Sequence, residues 1–126
     1  MKLDLKELIA KLTNTPMVVE QGTSGIWTYR KWSDGTAECW GTYSDTISHN
    51  GTVFGGYAYT VTVNFPTGLF VALPVVEYSA YLGNQYALTG TINNAFTTSS
   101  VNLFAVCNTS GSKSTSWFIT VIGKWK

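Results

Sequence analysis

Hydrophobic and polar residues alternate along this chain with two different periods. Leu5, Leu8 and Leu12 recur at a three-then-four spacing, and Leu3 and Ile9 widen the stripe. Lys2, Lys6, Glu7 and Lys11 cover the opposite side. That pattern predicts an amphipathic helix over 2–13. Thr13-Asn14-Thr15-Pro16 stops it, because the residue before a proline avoids helical angles. Such a helix is only about 18 Å long and marginal by itself in water, so it needs its own domain or sister copies to pack against.

Beyond Pro16 the period drops to two. Ile26–Trp32 reads as a strand, Ser33-Asp34-Gly35 as a turn, and Thr36–Tyr43 as the returning strand of a β-hairpin. Residues 44–57 read as a loop. Tyr57, Tyr59, Val61, Val63 and Phe65 then alternate with Ala58, Thr60, Thr62 and Asn64, and Pro66 ends that strand. Further strands are predicted at Val75–Leu82, Thr89–Phe96, Val101–Cys107 and Ser116–Trp125, with a polar turn over 108–114. About seven short strands without an internal helix point to an antiparallel β-sandwich or barrel. The hairpin carries large aromatics on both faces, since Trp40 points opposite to Cys39. A strand wet on one side does not look like that. Part of the hairpin is therefore expected to be covered twice, by its own fold or by another subunit.

Composition narrows the function. The chain has 126 residues, enough for one domain. Charged residues make up 12%, against about a quarter in an average soluble domain, and the net charge is only +1. Such a chain has no long-range pull on phosphate backbones or anionic lipid, so nucleic acid and membranes are poor partners. No apolar run approaches the roughly 20 residues of a membrane span. One histidine and no Cys/His cluster argue against a metal, and no cofactor is expected. Nothing requires Cys39 and Cys107 to pair; free, buried thiols are the favoured reading. No spacing brings two of the seven carboxylates into a glycosidase pair, and His49 has no nucleophile elbow to serve. The chain does not read as an enzyme.

Binding suits it better. Sugar rings offer apolar C–H faces to aromatics and hydroxyl edges to Asn, Asp, Gln and Arg. Loops at a sandwich end are the expected sites. One candidate turn holds Tyr81, Asn84, Gln85 and Tyr86; a second segment holds Asp45, His49, Asn50 and Tyr57. The five tryptophans lie on strands and are assigned to core or intersubunit packing, with Tyr57 also read as core-facing.

The stretches "WTYRKWSDGTAECWG", "VNFP" and "ITVIGKWK" resemble the C-terminal domain of tail-fibre and minor structural proteins from phages and prophages of Gram-positive bacteria. The resemblance runs from Val18 to Lys126. It implies an all-β, sandwich or jelly-roll-like tip over 17–126 at the end of a fibre or baseplate arm, usually a homotrimer, contacting the host cell surface; with the aromatic and polar loops above, a host cell-wall saccharide is the expected partner. The helix over 1–15 would be the end of a coiled-coil stalk with Leu5, Leu8, Ile9 and Leu12 at the trimer seam. Two heptads do not themselves decide between dimer and trimer. The resemblance also implies a location in the virion, after assembly in the bacterial cytoplasm. Two alternatives stand beside a receptor-binding tip: a structural cap that registers the chains and binds nothing, and a stand-alone bacterial lectin.

Overall fold

A computed structural model describes Asp4, Leu5, Leu8, residues 15–92 and residues 95–126. Most of the predicted helix, with Ile9 and Leu12 of its seam, lies outside the described residues. Within it, the Leu8 amide donates to the Asp4 carbonyl at 3.0 Å, an i to i−4 bond. Leu5 and Leu8 are both exposed.

The rest is all-β. Among the described residues nine strands follow in order: β1 (Val18–Ser24), β2 (Trp27–Trp32), β3 (Thr36–Ser48), β4 (Thr52–Val53), β5 (Gly56–Asn64), β6 (Val75–Leu82), β7 (Ala87–Thr89), β8 (Ser100–Cys107) and β9 (Ser112–Lys124). They form two antiparallel sheets, a five-stranded β1-β2-β3-β9-β6 and a four-stranded β4-β5-β8-β7. The sheets share one core, so the fold is a β-sandwich-like pair of layers rather than a barrel.

The predicted hairpin is β2–β3. Its turn works as its residues dictate. Gly35 takes φ +95°, its amide donates to the Trp32 carbonyl at 3.0 Å, and the Asp34 carboxylate accepts the Thr36 N–H at 2.9 Å. That backbone bond holds the Asp34 carboxyl below the usual carboxylate range.

Several stretches differ from the reading of the sequence, among them the expected loop over 44–57, which holds the short β4. Residues 44–48 belong to β3, and 112–114 belong to β9; the two strands pair continuously from Thr36↔Lys124 to Ser48↔Ser112. Serines and threonines dominate this stretch, so it carries little of the apolar alternation that marks a strand. Val18–Ser24, unmarked in the sequence, pairs with β2 as an edge strand with almost every residue exposed. The strand expected over Thr89–Phe96 is instead the short β7, and Phe96 makes only an isolated bridge to Val101.

Alternate residues fill the space between the sheets. Trp27, Ala37, Cys39, Trp117, Ile119 and Val121 come from one layer; Tyr59, Val63, Val101, Leu103, Ala105 and Cys107 come from the other. Each large apolar side chain buried this way contributes about 1.5–3 kcal/mol. Phe65, Leu69 and Phe70 close one end, with Phe65 edge-on to Trp27 at 5.9 Å. The buried indoles are satisfied: Trp27 Nε1 donates across the layers to the Asn64 carbonyl at 2.7 Å, and Trp117 Nε1 donates to Thr115 Oγ1 at 3.1 Å. Cys39 and Cys107 are free and buried, as expected, and burial pushes the Cys39 thiol up to about 12.

Candidate functional site

The eight predicted ligand residues have separate fates. Asp45 sits on β3, not on a loop. Its carboxylate accepts from the Tyr43 hydroxyl at 3.1 Å and from the Thr46 amide at 2.8 Å. His49 is half-buried rather than solvated. Its Nδ1 accepts the Gly111 N–H at 3.0 Å, and its ring stands edge-on to Tyr57 at 5.1 Å. Asn50 bonds backbone to backbone with Ala58 at 2.9 Å, and its side-chain amide donates to Thr60 Oγ1. Tyr57 packs against the core. These four help fasten the end of the sandwich, with Asp45 and Asn50 exposed.

In the other segment, the Tyr81 hydroxyl donates to Asn84 Oδ1, and the Gln85 amide closes the turn on the Leu82 carbonyl at 2.9 Å. Asn84 takes φ +63°, a left-handed conformation asparagine tolerates. Tyr86 is 92% exposed. It meets the other loop across a cleft of about 260 Å³ lined also by Phe54, Leu88 and Val106. The loops thus approach each other through Tyr86 and Phe54, in an apolar setting whose side chains supply few hydrogen-bonding groups.

A second surface combines aromatic and polar groups. It is the outer face of the five-stranded sheet. On β3, Ala37 and Cys39 point inward, so Glu38, Trp40, Thr42 and Ser44 point out. The pairing of β3, β9 and β6 aligns these with partners in rows: Glu38–Ile122–Val75, then Trp40–Thr120–Glu77, then Thr42–Phe118–Ser79, then Ser44–Ser116–Tyr81. The small Thr120 lies between Trp40 and Glu77, and Phe118 rises beside it. The result is an open trough of about 500 Å³.

The trough is prepared electrostatically. The Arg30 guanidinium lies 5.0 Å from the Trp40 ring centre, within cation–π range. Arg30 also pairs with Glu38 at 3.7 Å, and its Nε donates to Gln21 Oε1 at 3.1 Å. Those contacts hold the indole in place and engage both charges. Glu77 is the carboxylate that lines the trough, and Thr42, Ser79 and Thr120 supply hydroxyls.

The tryptophans therefore divide. Trp27 and Trp117 are sealed in the core, whereas Trp32, Trp40 and Trp125 are half-buried at the surface. Parity placed Trp40 opposite Cys39 from the sequence alone. What it could not show was that β6, far away in sequence, brings Glu77 and Ser79 alongside β9. Comparisons with protein families, with curated proteins and with solved structures find no match for this chain.

Proposed function

We propose that the chain is a non-catalytic saccharide-binding domain that works through the outer face of its five-stranded sheet. One observation carries this reading: a clamped, outward-facing Trp40 beside Phe118, in a trough edged by hydroxyls and one carboxylate. An indole face stacks on the C–H face of a sugar ring, and Thr42, Ser79, Thr120 and Glu77 meet its hydroxyl edges. An aromatic held in place before binding loses little conformational freedom when the ligand arrives.

The likeness to phage fibre tips supplies the setting: a tip presented in three copies to a host cell wall. The strand order β3-β9-β6 over β5-β8-β7 supports a jelly-roll-like description of that tip. The exposure of Leu5 and Leu8 supports a stalk completed by sister chains. A glycan array carrying neutral cell-wall saccharides tests the binding. The intact chain binds, and Trp40→Ala loses at least tenfold in affinity while keeping its circular dichroism. No binding to any glycan favours the structural cap. Light scattering tests the assembly: the expected mass is three times that of the chain, falling on removal of residues 1–15.

A further inference from the structure

Three aromatic side chains step diagonally across the proposed binding face. Trp40 stands on β3, Phe118 on β9 and Tyr81 on β6, each one strand over and one row further along than the last. Phe118 and Tyr81 are 51% and 50% exposed. Diagonal neighbours on adjacent strands lie roughly 7–8 Å apart, so the line from Trp40 to Tyr81 is roughly 15 Å long. The residues beside it are mostly hydroxyl-bearing: Thr42, Ser44 and Ser116 on one side, Thr120 and Ser79 with Glu77 on the other. The Tyr81 ring is anchored by its hydroxyl on Asn84, as Trp40 is by Arg30.

Resting on the saccharide reading above, we infer that the ligand is an internal stretch of a linear, uncharged polysaccharide, laid lengthwise over Trp40, Phe118 and Tyr81. A site for one terminal sugar needs a closed pocket with donors converging on a single ring. This trough is built from the faces of three strands and is open. Successive rings spaced along a line suit successive sugars of an extended chain. The charges nearby disfavour an anionic polymer: Arg30 is already paired with Glu38, and Glu77 would repel phosphate or carboxylate groups.

The test is titration calorimetry with graded-length linear oligomers, from two to six units, of β-1,4-linked glucose, β-1,4-linked N-acetylglucosamine and α-1,4-linked glucose. Affinity for the preferred series is expected to climb at least tenfold from the dimer to the longer oligomers and then level off. Tyr81→Ala should remove about five- to tenfold of the gain for long oligomers and leave the dimer unaffected. Tyr81→Phe keeps the ring and gives up only its bond to Asn84, so it should retain most of the gain for long oligomers and guards against misfolding of the alanine variant. Equal affinity for dimer and hexamer overturns the lengthwise chain and leaves saccharide binding standing. Failure of every oligomer, together with an empty glycan array, overturns both.

Discussion

The two faces of the β3–β9 ribbon make the most instructive comparison in this molecule. They share the same backbone and differ by one residue of offset. Inward, Cys39, Trp117, Ile119 and Val121 are almost wholly removed from water. Outward, Trp40, Phe118 and Ile122 remain partly or largely in it, among threonines and serines. The same residue type thus does two jobs. Trp117 holds the layers together through its volume, and Trp40 presents its ring from a stable platform.

Breaking the inner face should have the largest effect. Trp117→Ala removes a fully buried indole and with it the Nε1 donor to the Thr115 hydroxyl, which keeps its own bond to the Asp45 carbonyl. A loss of about 3–5 kcal/mol in urea unfolding is expected. Trp40→Ala, at a half-buried ring, should lose clearly less, about 1 kcal/mol. Equal losses would mean that the outer indole is a packing residue too.

Gly41→Ala comes next. A Cβ there would run into the Ile26 carbonyl, in the turn just before β2, and stand 3.4 Å from the Trp27 ring. Overpacking of this kind costs about 1–3 kcal/mol, and thermal melting should show it.

Alkaline titration sharpens the contrast further. Burial raises the phenol of Tyr59 and that of Tyr78 above the ordinary 10.0. A raised folded value favours the protonated form, so this stabilisation is complete below pH 10 and fades as pH climbs above it. Unfolding followed at rising pH should show a decline that begins above pH 9.0, where the unfolded Cys39 thiol ionises, and steepens above 10.0 as the two phenols join it. Phenolate absorbance should rise together with the loss of structure.

The smallest expected effect is at Ser48→Ala. Its hydroxyl pairs with that of Ser112 at 2.7 Å on the exposed end of the ribbon. A change within about 0.5 kcal/mol is expected by the same unfolding measurement. A larger one would show that the hydroxyl rows hold the strands in register.

Much of this fold was readable from alternation alone. β5 and β6 alternate plainly, and the β2–β3 hairpin announced itself by its Ser-Asp-Gly turn. The strands that escaped notice have no apolar face to display. Val18–Ser24 is an edge with water on nearly all sides. Residues 44–48 and 112–114 are chiefly serine and threonine, and their strand character comes from pairing with each other. The site was legible by halves. Alternation puts Trp40 and Phe118 on outer faces, but their partners Glu77, Ser79 and Tyr81 arrive through a pairing of β6 with β9 that no local pattern encodes. Large aromatics on both sides of one strand suggested a second cover. Among the described residues, Arg30 lies against one of them, and the trough stays open.

The Ser33–Gly35 turn is gripped from two directions. Met17 exchanges bonds with Ser33, its amide to the Oγ at 2.9 Å and its carbonyl from the amide at 2.7 Å. Trp125 donates to the Gly35 carbonyl at 2.9 Å through its backbone and to the Trp32 carbonyl at 2.8 Å through its ring. The polypeptide thus enters and leaves its β layers beside one another. Tension applied through both of those segments would meet at a single knuckle, and an instrument pulling on them would peel that clasp before it sheared any sheet.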